Sequence, residues 1–203
     1  MSVMIAYEQH LDADPAWALR EGSMHFESGS AVHTALEKIA RRLDELQIPY
    51  AIVGGMALFS HGYRRFTEDV DILLTDEGLA EVHRRLDGLG YVPIFSGSRN
   101  LRDVDNGVRI EFLVTGDYPG DGKPKPVAFP APQDVSVERQ GIHYLGLPSL
   151  IELKLASGLS PGRRRDLGDV QELIRILELP EDFTGKLDPF VHEVYRELWA
   201  ELQ

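Results

Sequence analysis

The chain has 203 residues, of which 43% are hydrophobic, contains no cysteine and carries a formal net charge of −12. It can bury a real core in one domain or two small ones, but it can form neither a disulfide framework nor a thiolate metal site, and no apolar run approaches the roughly 20 residues of a membrane span. The negative charge opposes broad, non-specific affinity for nucleic acid, because phosphate binding draws on clustered Lys and Arg.

Residues 1–30 show no clear periodicity, so this N-terminal segment is assigned no secondary structure. Its first ten residues, MSVMIAYEQH, have neither the basic start nor the long apolar core of a signal peptide. We therefore expect a cytoplasmic protein with no membrane partner. From Ala31 onward apolar residues recur at the helical period, and Ile48-Pro49 closes this predicted helix.

The most informative stretch, residues 50–74, has the sequence YAIVGGMALFSHGYRRFTEDVDILL. Its order predicts a strand, a turn at Gly54-Gly55, a short helix, a loop and a second strand that carries Asp69 and Asp71. Side chains alternate along a strand, so both carboxylates share one face, with α-carbons roughly 6.5 Å apart. Such a pair favours a cation between its members, and paired divalent metals in phosphoryl-transfer sites lie about 3.5–4 Å apart. We therefore predict a Mg²⁺ or Mn²⁺ site, with a solvated strand face as the alternative.

The double glycine precedes this acid pair by some fifteen residues. Because Gly54 and Gly55 have no Cβ, a phosphate can approach their backbone closely at the start of the following helix, where free N–H groups favour an anion. The two glycines are therefore predicted to bind the phosphates of a nucleotide.

A third acid, Glu111, follows further along the chain. Two runs on either side of Asn106-Gly107, residues 101–104 and 108–115, predict an antiparallel hairpin, since Asn-Gly is typical of tight turns. Along the second run Glu111 falls on the face opposite the apolar residues, so it can project beside the acid pair. Taken alone, the residue is better explained as facing solvent on a half-covered sheet. Three carboxylates hold two divalent ions better than two carboxylates can. This favours Glu111 as a third ligand of the metal site.

Together the double glycine, the run Arg65–Asp71 and Glu111 resemble the nucleotidyltransferase fold of the DNA polymerase β superfamily. The R-x-T-x-D-x-D arrangement is most similar to the minimal nucleotidyltransferases of the AbiEii toxin type. The resemblance implies an α/β (α+β) fold, with a mixed sheet flanked by helices and a helical C-terminal lobe. It also implies that Arg65 and Thr67 bind the nucleotide, and that Asp69, Asp71 and Glu111 are catalytic metal ligands.

A proline-rich segment separates the predicted sheet from the C-terminal helices. Residues 116–135 contain five prolines and three glycines, a composition that predicts a long functional loop or connector. Lys123 and Lys125 within it could meet a triphosphate or RNA, or be a solvated pair.

The last third of the chain is predicted to be helical. Ser149 and Glu152 have the spacing of a capping box. Lys154 lies among apolar residues of this first helix and Asp166 opens the next helix, so the two can pair with each other or line a cleft. The AbiEii-type resemblance implies that Lys154 binds triphosphate and is catalytic. It implies that Asp166 completes the acidic cluster or acts as a base, with Asp169 as the competing candidate.

These observations predict a nucleotidyltransferase domain over residues 31–140 and a helical lobe over 145–203, with the active site between them. The resemblance implies transfer of a nucleoside monophosphate from a nucleoside triphosphate to an acceptor hydroxyl. RNA such as a tRNA is the first candidate acceptor, with a cognate antitoxin as a partner and the basic run 163–165 as an RNA contact. The alternatives are transfer to a small molecule such as an antibiotic, and a non-catalytic nucleotide-binding module.

Overall fold

A computed structural model describes residues 5–203 of the chain. Its helices are α1 (Tyr7–Ala13), α2 (Pro15–Phe26), α3 (Ala31–Glu45), α4 (Gly54–Ser60), α5 (Asp76–Leu86), α6 (Pro132–Val135), α7 (Leu147–Gly158), α8 (Arg164–Leu177) and α9 (His192–Ala200). Its strands are β1 (Ala51–Ile52), β2 (Asp69–Leu74), β3 (Tyr91–Pro93), β4 (Leu101–Asp103), β5 (Arg109–Val114), β6 (Ser136–Arg139) and β7 (Ile142–Leu145). Two 3-10 helices, Glu181–Lys186 and Pro189–Val191, precede α9. Within the described range no helix combines the length and the apolar character that a membrane crossing requires.

The seven strands form one mixed sheet in the order β3-β4-β5-β2-β1-β7-β6. The central strand β2 runs antiparallel to β1 and parallel to β5, and β1 runs parallel to β7. The predicted hairpin is present as the antiparallel pair β4 and β5. Helices cover both faces of this sheet, so the predicted fold class, a mixed sheet flanked by helices, is confirmed.

Alternation along β2 divides its side chains between two cores. Val70, Ile72 and Leu74 are buried in the core that α3 and α5 cover, whereas Leu73 is buried on the other face, under α7, α8 and α9. Asp69 and Asp71 have the same parity as Leu73. The predicted acid pair therefore faces the C-terminal helices.

The N-terminal segment, which shows no clear pattern in the sequence, folds as the helical hairpin α1 and α2. Distant parts of the chain hold it in place. The backbone N–H of Tyr7 donates to the carbonyl of Gly107, and the guanidinium of Arg102 binds both carboxylate oxygens of Glu8 at 2.7 and 2.9 Å. These long-range contacts, rather than a local pattern, stabilise the two helices.

The segment 145–203, predicted as a helical lobe, packs directly on the sheet. Leu150 on α7 and Val170 on α8 share one buried core with Ala51, Leu73 and Leu145 on the strands. The strand before α7, β7, is itself hydrogen-bonded into the sheet beside β1. The sheet and the C-terminal helices therefore share a single continuous core on this face.

Candidate active site

The structure brings Asp69, Asp71 and Glu111 together; we call these three residues the acid triad. Asp71 lies directly opposite Glu111 across the parallel pair β2 and β5, and Asp69 lies one pleat earlier on the same face. Each of the three offers a carboxylate oxygen, and these oxygens all lie within 4.8 Å of one another. Alternation along two adjacent strands is enough to produce this cluster.

Gly54 makes room for the triad. Its φ is +59°, a conformation that favours glycine, and a Cβ built on it would lie 1.8 Å from Oδ2 of Asp71. A side chain at position 54 would therefore occupy the place of the Asp71 carboxylate. The structure thus gives Gly54 a packing role beside the acid, while its predicted contact with phosphate stays a prediction.

Thr67 holds the first acid in place. Its side chain is buried, and its hydroxyl donates a 2.8 Å hydrogen bond to Oδ1 of Asp69. Gly55 packs tightly on this threonine, because a Cβ at position 55 would lie 2.7 Å from the Cβ of Thr67. In the described structure these two residues therefore orient the acid and its supporting loop. Their predicted contact with the nucleotide stays a prediction.

The acid triad is short of positive charge. Burial raises the pKa of the Asp71 carboxyl to about 7, and the negative charges of Asp69 and Glu111 add to this shift. Burial also raises the pKa of Glu111, against the opposing effect of Arg109. Closely spaced carboxylate oxygens that resist ionisation together are the ligands that hard divalent cations prefer. The residues therefore fit a divalent metal ion.

Arg109 also belongs to this site, although the sequence predicts no function for this residue. Its Nη2 lies 2.9 Å from Oε1 of Glu111 and 3.2 Å from Oδ2 of Asp69, so one nitrogen bridges two of the three acids. It is also the register partner of Asp69 across β2 and β5. The i, i+2 spacing of Arg109 and Glu111 on one strand was the signal that could have revealed this contact.

A second charged group, which we call the lysine cluster, consists of Lys154, Asp166 and Asp169. Nζ of Lys154 donates to Asp166 at 2.9 Å and to Asp169 at 2.7 Å, and all three side chains are buried. Ser157 donates a further 2.7 Å hydrogen bond to Asp166. Burial alone would raise the pKa of Asp166, but the charge and hydrogen bond of Lys154, together with Ser157, hold that pKa below its usual range.

Two arginines complete the neutralisation of the lysine cluster. Nε of Arg163 lies 3.0 Å from Asp166, and Nε of Arg65 lies 3.1 Å from Asp169. The predicted nucleotide-binding Arg65 thus contacts an acid of α8. Both sequence candidates for the functional acid, Asp166 and Asp169, are paired with the same lysine.

Both groups open on one cavity of about 270 Å³. Asp71, Glu111 and Gly54 line it on the sheet side, and Lys154, Asp166, Ser157 and Arg163 line it on the helix side. Its remaining wall is largely apolar and is formed by Val53, Leu113, Tyr118, Pro119, Gly120, Phe129, Leu145, Leu150 and Leu153. The arrangement places acidic and basic groups on opposite sides of an apolar recess.

Part of that wall comes from the proline-rich segment, which is anchored. Lys125 donates to the carbonyl of Pro119 at 2.6 Å and to the hydroxyl of Ser160 at 3.0 Å, and it pairs with Asp121 at 3.1 Å. The Lys125 side chain therefore ties the loop to the turn between α7 and α8. Lys123, in contrast, is exposed and pairs with Asp121 at 3.6 Å.

No protein-family model and no curated protein matches the chain. Among solved structures, the solution structure of the antibiotic-resistance factor ANT(2'')-Ia matches with a TM-score of 0.52 and 16% identity, over 83% of this chain and 93% of that one. A crystal structure of ANT(2'')-Ia in complex with adenylyl-2''-tobramycin matches with a TM-score of 0.51 and 15% identity, over 83% of this chain and 97% of that one. An antigenic nucleotidyltransferase-like protein from Paracoccidioides brasiliensis has a TM-score of 0.46 and 17% identity, over 70% and 75% of the two chains.

The likeness to ANT(2'')-Ia concerns the fold. It shows that this chain has a nucleotidyltransferase fold, as the resemblance of residues 54–71 implied. The acid triad lies in the sheet of that fold and faces the C-terminal helices.

Proposed function

We propose that the chain is a nucleotidyltransferase, which moves a nucleoside monophosphate from a nucleoside triphosphate to an acceptor hydroxyl. The observation that carries the proposal is the acid triad, held on two adjacent strands of a nucleotidyltransferase fold and opening on a cavity with basic groups across it. A solvated strand face does not account for acids this close together and partly buried.

In this proposal Asp69, Asp71 and Glu111 hold the divalent metal, Mg²⁺ or Mn²⁺. When bound, such ions neutralise the triphosphate, polarise its α-phosphate and orient the attacking oxygen. The contribution of the protein is to place these carboxylates before substrate arrives. Thr67 does so for Asp69 through its hydrogen bond, and the missing side chain at position 54 does so for Asp71.

Across the cavity, Lys154 and Arg163 are the groups suited to the phosphates. An ammonium has three N–H donors, and two of those on Lys154 are used by the acids of the lysine cluster. One donor remains for a phosphate oxygen. Arg163 is 54% exposed and lines the cavity, so its guanidinium does not have to leave a buried position in order to turn towards an anion.

A proton must leave the acceptor hydroxyl, and the carboxyls of Asp166 and Glu111 both lie beside the cavity. Asp166 accepts from Lys154, Ser157 and Arg163, and its lowered pKa makes it a weak base. Glu111 lines the same cavity, but as a proposed metal ligand it is not free to take up a proton. We therefore assign electrostatic support to Asp166, and neither carboxyl is assigned proton acceptance.

The acceptor we favour is a small hydroxyl-bearing molecule. Among the described residues, the basic side chains that line the cavity are Lys154 and Arg163, and a net charge of −12 repels polyanions. The match to a structure that contains adenylyl-2''-tobramycin supports this class of acceptor.

RNA is the second candidate, as the AbiEii-type resemblance implied, and an antitoxin partner would go with it. Arg164 and Arg165 are exposed at the start of α8, next to the cavity-lining Arg163. A run of three arginines at the rim of the site is a feature that an RNA acceptor would use.

The test is to incubate the protein with each of the four nucleoside triphosphates labelled at the α-phosphate, with Mg²⁺ and with either tobramycin-like aminoglycosides or total tRNA. We expect label on the small acceptor, with little dependence of rate on salt. Label on tRNA, with a rate that falls by a log-log slope of about −0.7 for each phosphate contacted, would move the assignment to RNA. If no acceptor and no protein fraction is labelled with any nucleotide, nucleotidyl transfer is the wrong activity.

A further inference from the structure

Arg109 lies where the acid triad needs a positive charge. One nitrogen, Nη2, contacts both Glu111 at 2.9 Å and Asp69 at 3.2 Å. We propose that Arg109 is an internal counter-ion of the site, which a divalent cation displaces when it binds. The inference rests on the metal-binding role proposed above for the triad, and it assigns a task to a residue that the proposed chemistry does not use.

A second arginine on the neighbouring strand shows how differently the same side chain can be held. Arg102 is the cross-strand partner of Arg109 in the pair β4 and β5. Both terminal nitrogens of Arg102 bind Glu8, at 2.9 and 2.7 Å, one of them also donates to the carbonyl of Gly107, and the side chain is 10% exposed. This two-nitrogen contact with a carboxylate is the strong form of the pair.

Arg109 is held much less completely. Its contacts with the triad use a single nitrogen, its buried Nε has no hydrogen-bond partner among residues 5–203, and the side chain is 40% exposed. A donor that is buried and unpaired weakens the conformation that contains it. The side chain of Arg102 is therefore held firmly in place, whereas the side chain of Arg109 can leave its position at a low cost in free energy.

The guanidinium and a metal ion compete for the same carboxylates. Asp69 and Glu111, whose carboxylates contact Nη2, are two of the three residues that could coordinate the ion. A divalent cation placed there would also be repelled by a guanidinium a few ångströms away. Metal binding therefore requires the ion to displace the guanidinium of Arg109. This competition lowers the affinity of the acid triad for metal.

After the exchange Arg109 stays beside the site, because its backbone is fixed in β5 opposite Asp69. Its released guanidinium is then available to an anionic group of the substrate, such as a phosphate. The same residue thus limits repulsion among the acids in the metal-free protein and becomes a substrate-positioning residue in the loaded one.

The test is a titration of Mn²⁺ into chelator-treated protein without nucleotide, with free Mn²⁺ followed by electron paramagnetic resonance. We expect Arg109→Gln to bind Mn²⁺ about tenfold more tightly than wild type, the effect of removing one charge about 5 Å from a divalent ion even at the dielectric constant of water. Arg109→Lys keeps the charge and should stay within about threefold of wild type. Arg102→Gln, which removes the firmly held arginine, should not tighten Mn²⁺ binding.

Melting temperature gives an independent readout. In chelator Arg109→Gln should melt below wild type, because Asp69 and Glu111 then lack their counter-ion, and Mn²⁺ should raise its melting temperature more than that of wild type. Arg109→Met, which keeps the apolar stem, repeats both measurements if the glutamine variant does not fold. Adding Asp71→Asn to either variant should abolish the tightened Mn²⁺ binding, which locates the ion at the triad.

Equal or weaker Mn²⁺ affinity in both Arg109→Gln and Arg109→Met would overturn the proposal, as would tight binding that survives Asp71→Asn. Because no nucleotide is present, these results do not depend on transfer activity. Tightened binding in a protein that transfers no nucleotide would reject the proposed function and leave the role of Arg109 standing.

Discussion

The acid triad and the lysine cluster lie on opposite sides of one cavity, and they differ in how completely their negative charge is neutralised. In the triad Asp69 and Glu111 share a single arginine nitrogen, and burial with mutual repulsion raises the pKa of Asp71 to about 7. In the lysine cluster two acids share a lysine and have one arginine each, and the pKa of Asp166 is lowered in spite of burial. A cluster of acids with too few cations nearby can bind a cation from solution. A cluster that the protein's own cations neutralise stabilises the fold instead.

The position of the lysine cluster supports this reading. Its lysine comes from α7, its two acids come from α8, and Arg65 comes from the loop that leads into β2. The cluster therefore fastens the two helices to each other and to the loop that ends in the acid pair. Its first task is to fix the wall of the cavity, and the proposed contact with a phosphate uses what remains of its hydrogen-bonding capacity.

The largest effect is expected from removing a charge in the triad. Asp71→Asn should lower the rate of nucleotide transfer by at least about 10²–10³-fold, the size of losing one preorganised electrostatic group. It should leave the free energy of unfolding in chelator unchanged or higher, since it relieves repulsion. The measurements are label transfer and urea unfolding of the same preparation.

Glu68→Gln is the matched control for this prediction. Glu68 is exposed and directly precedes the acid pair, so the same change of acid to amide there should leave transfer near the wild-type rate. If Asp71→Asn retained a rate similar to that of Glu68→Gln, the triad would not be the metal site.

The lysine cluster should respond in the opposite sense. Lys154→Met leaves two buried acids without their shared cation, and breaking a buried pair in this way costs roughly 3–5 kcal/mol of unfolding free energy. Lys123→Met, at a side chain that is 80% exposed, should change it by less than about 0.5 kcal/mol. Urea denaturation of both variants measures these changes in unfolding free energy. An unchanged stability together with a large loss of triphosphate affinity would mean that Lys154 serves substrate alone.

The two groups also predict how acid affects stability. The folded-state pKa of Asp166 is lowered from its ordinary value of 3.8, so its contribution is present above about pH 4 and is lost as the pH falls through the lowered value. The gap in unfolding free energy between wild type and Asp166→Asn should therefore narrow between pH 5 and pH 2.5. Urea unfolding at several pH values measures the gap, and a gap that is constant or widens in acid would contradict the assigned pairing.

The sequence was informative where side-chain alternation decides the outcome, and less so where distant segments meet. The strand β2 and the hairpin that follows can be predicted from local pattern, and so the side of the sheet that each acid faces follows. The contact of Arg65 with Asp169 joins residues 104 positions apart, which no local pattern indicates. The contact of Arg109 with Asp69 depends in the same way on how β2 and β5 register.

Helix ends show the same limit. The capping box predicted at Ser149 and Glu152 was wrong: α7 begins at Leu147, after Gly146, and has no side-chain cap. The carboxylate of Glu152 instead accepts the backbone N–H of Asp188 from the C-terminal region. A residue type that suits a cap was recruited by a tertiary contact, so the local spacing was misleading.

The smallest effect concerns Thr67, whose buried hydroxyl connects loop and triad. Thr67→Val keeps the shape and removes the 2.8 Å hydrogen bond to Asp69, which should cost about 0.5–1.5 kcal/mol of unfolding free energy. If the hydroxyl orients the acid for metal, the variant should also need more Mn²⁺ for half-maximal transfer, while the rate at saturating Mn²⁺ falls little. Thr67→Ser restores the hydroxyl and should recover the metal requirement, although it loses a methyl group from the core. A metal requirement that follows the methyl group, altered in serine and normal in valine, would show that packing against Gly55, and not the hydrogen bond, positions Asp69.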